Sequence, residues 1–577
     1  DVTGIGAALT LFDVKQLEVH RGPQPTRFGS SALAGAINII TEKPTESLSG
    51  QTLLAVGNDE RVSGGGAVSG SLTENLALRL SAFGHRQNGF RDNVFLSSDD
   101  TNERQEFTGR AKLLLTPSDD ARFTLSYTGV NLNNGYDVFT IFNGFQTQSD
   151  KPGRDEEAFH LLSLQGEVDL SSTDQLVFTS SYYNSDTDYS FDGDWGSNSF
   201  WAPNDPYDYF SDTNRDRSVY AQQIRLRGSA PIFGEGGRYL VGAFFQNLEE
   251  DTQTSEFSDD IIYDFLDSDY QAKTVAGFGN MEVPLGDDFT LISGARLEHR
   301  DTDYTDNRGN DFSPSDFLWG GNVTLQYELN DNVTPYLLVS RGFRGGGFNS
   351  SPSLSADQLR FADESLTNIE LGTRFELMDG TLKGSIASFL NFRRDQQIKL
   401  GLQVDPSDPL SFTYLTDNAA EGRSYGLEAE VDYQVIESLL LRTSGSLLDT
   451  EITSADNVIA SLDGREQSHA PSWQYSAEAE YFFVDELSAS LGVTGRDAFY
   501  FDDSHDQQSS PYHLLNASLR YYGEGWQLQL FARNITDKRY AVRGFFFGNE
   551  PPDFPEKEYV QLGDPFTFGA LLSYRFG

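Results

Sequence analysis

The segment Phe566-Thr-Phe-Gly-Ala-Leu-Leu-Ser-Tyr-Arg-Phe576 decides the fold. Phe566, Phe568, Ala570, Leu572, Tyr574 and Phe576 fall on one face of an extended strand. Thr567, Gly569, Ser573 and Arg575 fall on the other, with Leu571 as the exception. A period of two with aromatics at both ends is the pattern of a membrane-spanning β-strand, with lipid on one side and a wet lumen on the other. A soluble strand can show such alternation once, but here it recurs. Phe123, Leu125 and Tyr127 alternate with Thr124, Ser126 and Thr128, and Leu515, Ala517, Leu519 and Tyr521 alternate with Asn516, Ser518 and Arg520. Trp526, Leu528, Leu530 and Ala532 follow after the turn Gly523-Glu524-Gly525.

Short turns such as Thr116-Pro-Ser-Asp-Asp120, Asn330-Asp-Asn332 and Asp379-Gly380 recur between these strands. They alternate with long polar insertions near 131–156, 186–216, 251–268, 300–316, 344–364, 452–470 and 536–565. Short periplasmic turns opposite long extracellular loops are the signature of an outer-membrane barrel, and a sandwich or propeller has no reason for that asymmetry. The pattern predicts an all-β fold, a transmembrane antiparallel barrel of roughly 22 strands over residues 48–577. Residues 1–47 break the rhythm. Short strands at Gln16–His20 and Ala36–Thr41 flank a helix-or-turn stretch, which reads as a small globular domain and not as barrel wall.

Composition bounds the rest. The 577 residues hold no apolar run of 18 or more, which excludes helical membrane spans. Aromatics reach 13%, enough for girdles at both membrane interfaces. Cysteine is absent, so disulfides, thiolate metal sites and cysteine nucleophiles are excluded. The net charge of −45 argues against nucleic acid as a partner, because its phosphates would be repelled. The same charge suits an acidic exterior bridged to lipopolysaccharide by divalent cations. No signal-peptide pattern opens the chain at Asp1, which reads as a processed or partial protein.

Three ordered motifs carry a resemblance. Val14-Lys-Gln-Leu-Glu-Val-His-Arg-Gly-Pro-Gln24, Phe28-Gly29 and Gly35-Ala-Ile-Asn-Ile-Ile-Thr41 resemble the plug domain of TonB-dependent outer-membrane receptors. Tyr336-Leu-Leu-Val-Ser-Arg-Gly-Phe-Arg-Gly-Gly-Gly-Phe-Asn349, followed by Asn368-Ile-Glu-Leu-Gly372, is similar to the family's mid-barrel signature. Phe531-Ala-Arg-Asn-Ile-Thr-Asp-Lys-Arg-Tyr540 and the terminal Phe576 are similar to its C-terminal signature. Pro25, Arg27 and the trailing Gly577 depart from the usual pattern. The resemblance implies a monomeric barrel occluded by a plug, of which residues 1–47 are the C-terminal part. It also implies energy supplied by the TonB complex through a binding box that is expected to precede Asp1 and is absent from this chain.

In the family, glutamates at the positions of Glu370 and Glu428 engage plug arginines including the one at Arg21. Strand alternation independently turns both glutamates into the lumen, because Ile369 and Leu371, and Leu427 and Ala429, take the lipid face. The expectation is a plug–barrel lock of Arg21 with Glu370 and Glu428. If the lock is buried, removing one partner costs about 3–5 kcal/mol. The alternative is that both glutamates merely line a wet wall.

Residues 186–217 hold eight Asp and eight aromatics against Arg215 and Arg217. Phe191, Trp195, Phe200, Trp201, Tyr207, Tyr209 and Phe210 form a candidate stacking wall for a planar chelate or a sugar. The alternative is a loop that packs on itself and covers the barrel mouth. Asp186-Thr-Asp188 and Asp192-Gly-Asp194 bring oxygen ligands together, but no EF-hand spacing follows and no metal site is assigned. Gly64-Gly-Gly66 reads as a place of close approach, Gly345-Gly-Gly347 as one of close approach or of positive φ, and neither as a nucleotide loop. The seven histidines are scattered, no G-x-S-x-G stands in a plausible setting, and no catalytic residues or cofactors are assigned.

The resemblance therefore implies a non-enzymatic receptor of the Gram-negative outer membrane. Its partners would be TonB, outer-membrane lipid and a small-molecule metal chelate. A ferric siderophore complex, carried as ligand and not as cofactor, is the expected cargo. Cobalamin or an oligosaccharide is the alternative, and a barrel hydrolase or passive pore a more distant one.

Overall fold

A computed structural model describes residues 10–204, 207–230, 236–349, 354, 358–403, 412–455 and 462–577. Twenty-two long antiparallel strands close into one barrel. The first, Ser49–Gly57, pairs with the last, Thr567–Phe576, with Gly50 opposite Phe576 and Gly57 opposite Gly569. Closure removes every free strand edge, which a chain without spanning helices needs in lipid. On the outer face Leu54, Val241, Val275, Leu297 and Leu572 are exposed, as lipid contacts require. Aromatic pairs mark the short-turn end of the wall: Phe289 stacks on Tyr327 at 4.7 Å, and Tyr521 on Trp526 at 5.3 Å. A second belt, including Phe566 on Phe568 and Trp473 on His513, marks the long-loop end.

The predicted insertions are shorter than their polarity suggested. Strands Arg238–Ser258 and Ile261–Leu285 run past the membrane to a two-residue turn at Asp259-Asp260, both with positive φ. That is the backbone of a tight hairpin, so 251–268 is paired strand and not loop. Residues 186–192 and 209–216 likewise belong to strands Asp174–Asp192 and Tyr209–Ser229. The segment 411–434, open to reading as one strand or two, is the single strand Phe412–Ile436.

Inside the wall lies a separate hairpin, β1 (Val14–Arg21) paired with β2 (Gly35–Thr41), Arg21 opposite Gly35. Pro25 opens the short helix α1 (Pro25–Phe28) between them, using its fixed φ where a helix-start N–H would be unpaired anyway. Wall cations hold this segment. Arg79 Nε donates to both carboxylate oxygens of Asp13 at 3.1 and 3.0 Å, with both side chains buried. Arg110 donates to the Phe12 and Thr10 carbonyls, and Lys112 to those of Thr41 and Glu42. Gly65 confirms the close-approach reading, since a Cβ there would meet Phe83 at 2.9 Å and Phe12 at 3.2 Å.

Candidate functional site

Arg21 leaves the end of β1 and reaches the opposite wall, where Nε lies 3.2 Å from Glu428 Oε2 and the guanidinium also bonds Glu430. Glu370 is close but makes no ion pair with Arg21; it accepts a hydrogen bond from the Tyr336 hydroxyl at 2.6 Å. Glu430 thus stands where Glu370 was expected. It lies two residues beyond Glu428 on the same strand, so alternation had already turned it inward. The cluster is wetter than a buried lock, with the Arg21 side chain 48% exposed. Two cavities of about 360 and 510 Å³ share Arg21 and Glu428 as lining. The cost expected for a buried pair therefore does not apply, and about 0–1 kcal/mol is the appropriate scale.

At the long-loop end of the barrel, three extracellular segments fold together. Val138, Phe139 and Ile141 pack with Trp195, Trp201 and Tyr207, and with Tyr559 from the last long loop. Trp195 stacks on Phe139 at 5.3 Å and meets Tyr559 edge-on at 5.0 Å. The acidic residues of the loop organise it. Asp192 Oδ1 accepts from the backbone of Asp194 and Trp195, and Asp194 Oδ2 from the Trp201 indole at 2.8 Å. Burial pushes the Asp194 carboxyl above its ordinary range and the Tyr207 hydroxyl well above its own. Asp150, half-buried near Asp208 and Asp194, is raised to about 6.

Beneath this cap lies a cavity of about 790 Å³, open to the barrel mouth. Phe191, Trp195, Tyr207 and Tyr209 line it, as the candidate stacking wall requires. Phe200, Trp201 and Phe210 do not. Phe200 and Trp201 pack within the cap, 4.7 Å apart, and strand alternation turns Phe210 outward to pair with Phe257 at 6.1 Å. The aromatic run is thus divided between a cavity wall and a self-packed cap.

The cavity also has lining that the sequence reading missed: Phe139, Lys399, Tyr414, Arg543, Phe545 and Phe547. Lys399 Nζ sits 4.1 Å above the Tyr414 ring, and Arg543 lies 4.8 Å from the Phe545 ring centre. Arg308 is neutralised by Asp264, at 2.9 Å to each oxygen, and Arg215 faces Glu250 at 3.4 Å. At Gly345 a Cβ would run into the Arg300 guanidinium, so this glycine serves close approach and does not have the positive φ offered as the other reason.

A closed barrel of 22 strands with lipid outside, an aromatic mouth and an internal hairpin defines an outer-membrane receptor barrel. The family model described as "TonB dependent receptor-like, beta-barrel" matches residues 97–535, and the chain belongs to that family. It is 24% identical to the pesticin receptor of Yersinia pestis over 93% of this chain and 79% of that protein. It is 20% identical to a probable TonB-dependent siderophore receptor, PiuA, of Acinetobacter baumannii, again over 93% and 79%. Among solved structures it superposes on the ferric yersiniabactin uptake receptor FyuA of Yersinia pestis with a TM-score of 0.84. That alignment is 21% identical and covers 98% of this chain and 86% of that one.

Proposed function

We propose that the chain is an uptake receptor for a ferric siderophore, captured in the extracellular cavity and admitted past the segment 10–47. The observation that carries this reading is the 790 Å³ cavity at the barrel mouth, walled by Phe139, Trp195, Phe545 and Phe547. Its size suits a compact chelate and its rings suit a planar one. Two relatives support it, one titled a ferric yersiniabactin uptake receptor and one a probable siderophore receptor.

In this reading residues 10–47 act as the C-terminal part of a plug. Arg21, Glu428 and Glu430 form its mobile contact, and Asp13 with Arg79 its fixed one. TonB is the energising partner, and the iron chelate is cargo. The half-exposed Arg21 pair is cheap to break, which suits a contact that has to open during transport.

Titration of the purified receptor in detergent, followed by tryptophan fluorescence, tests the proposal. Trp195 in the cavity wall is the reporter. Saturable quenching by a ferric chelate, with none by its iron-free form, is expected. Quenching by cobalamin or an oligosaccharide, and by no ferric chelate, would overturn it.

A further inference from the structure

The cavity is asymmetric in charge, and that asymmetry selects among iron chelates. On one side its cations are spent, with Arg308 on Asp264 and Arg215 on Glu250. On the other side Lys399 and Arg543 have no carboxylate within salt-bridge distance among the described residues; aromatic rings flank them instead. Arg543 has the Tyr136 hydroxyl at 3.5 Å as a weak neighbour. Asp502, which lines the same corner together with Asp503, accepts from the backbone and hydroxyl of Ser504. Lys399 and Arg543 also line a second, polar cavity of about 330 Å³ with Gln396, Gln467, Ser468 and Asp503. The two chambers share Tyr414 and Phe545 as well, so the cations stand at the passage between an aromatic and a polar room.

The chain carries 87 acidic against 42 basic residues. The field of the whole protein repels anions, but salt screens charges beyond about 8 Å, so the lining groups govern the cavity. Of its other acids, Asp137 accepts from Asn93, Thr101 and Thr147, Asp192 from the Asp194 and Trp195 amides, and Glu256 from the Tyr263 hydroxyl. Cations held over rings are partly desolvated and poised to accept an anion. From this we infer that the substrate is an anionic chelate with aromatic iron ligands, of the catecholate or phenolate class. Its rings lie against Phe139, Trp195 and Phe545, its negative charge rests on Lys399 and Arg543, and its polar backbone enters the second chamber. Aliphatic hydroxamate chelates of neutral or positive charge are disfavoured. The inference rests on the receptor reading above and narrows it.

The test is a fluorescence titration of the whole receptor with four probes. They are an anionic ferric tris-catechol complex, ferric citrate (anionic, no ring), a ferric trihydroxamate bearing a free amine, and cobalamin. The tris-catechol complex is expected to bind tightest. Lys399→Ala and Arg543→Ala should each weaken it about tenfold to a hundredfold, and Lys399→Arg should restore most of the affinity. Melting of each variant checks that the barrel is intact. Equal or tighter binding of the trihydroxamate, or affinity unchanged in both alanine variants, overturns the inference while leaving the siderophore reading in place. Binding of cobalamin alone overturns both.

Discussion

Replacing Arg79 with alanine strands the Asp13 carboxylate against the inner wall of the barrel. Both side chains are nearly inaccessible, at 9% and 4%, and the guanidinium engages both carboxylate oxygens. Breaking a buried pair by removing one partner costs about 3–5 kcal/mol. Gln51 still donates to Asp13 at 2.9 Å, which places the expectation toward the lower bound. At about 1.36 kcal/mol per decade, opening of the β1–β2 hairpin should become some two to three powers of ten more frequent. Hydrogen exchange read by mass spectrometry on the micellar protein reports this in amides 14–41, with the wall strands as internal reference. Arg21→Ala, at a half-exposed site, should change the same amides less than tenfold. The neutral pair Asp13→Asn with Arg79→Gln should recover much of the protection, since no charge is stranded; Asn tolerates the positive φ at position 13. Unchanged exchange in Arg79→Ala, or a larger effect from Arg21→Ala, would refute the assignment of Asp13 and Arg79 as the fixed contact.

Three further outcomes are expected. Trp201→Ala empties the middle of the extracellular cap and leaves Asp194 without its indole donor. It should loosen that loop by about 3–5 kcal/mol, seen as faster proteinase K cleavage within 193–208 at an unchanged barrel melting temperature. The raised Asp150, at about 6, and the raised Asp194 favour the protonated form in the folded cap. Their contribution is thus present at low pH and lost as pH rises from the ordinary carboxylate range through the folded value, so cleavage of the cap should be slower at pH 5 than at pH 7.5. Leu572→Arg puts a charge on the lipid face and should destabilise insertion by about 2–4 kcal/mol, measured by refolding into vesicles. Leu571→Arg, on the luminal face, should cost much less.

The barrel was readable because lipid on one face and water on the other impose a period of two that survives in every wall strand. That periodicity stops at the membrane surface, although backbone pairing does not. Hence Thr252–Ser258 and Ile261–Asp267, which lack a clean alternation of apolar and polar residues, read as loop while forming strand. Alternation placed Glu370, Glu428 and Glu430 all in the lumen; only the resemblance chose Glu370 over Glu430 as a partner of Arg21, and Tyr336 engages Glu370 instead. In the mouth, local sequence pointed to the aromatic run of 186–217 but could not divide it. Trp195 reaches the cavity while Trp201 serves the cap, a split set by the contacts of Trp195 with Phe139 and Tyr559 from distant segments. Lys399 and Arg543 were silent for the same reason. One lies on a wall strand and the other on a hairpin 144 positions away, and only the fold makes them neighbours.

The central claim is uptake of chelated iron. Accumulation of radioactive iron, supplied as an anionic aromatic chelate to iron-starved cells with and without the receptor, tests it most directly. Accumulation is expected to require the receptor and to stop when the inner-membrane proton gradient is collapsed. Equal accumulation without the receptor, for this and every other ferric chelate supplied, would contradict it.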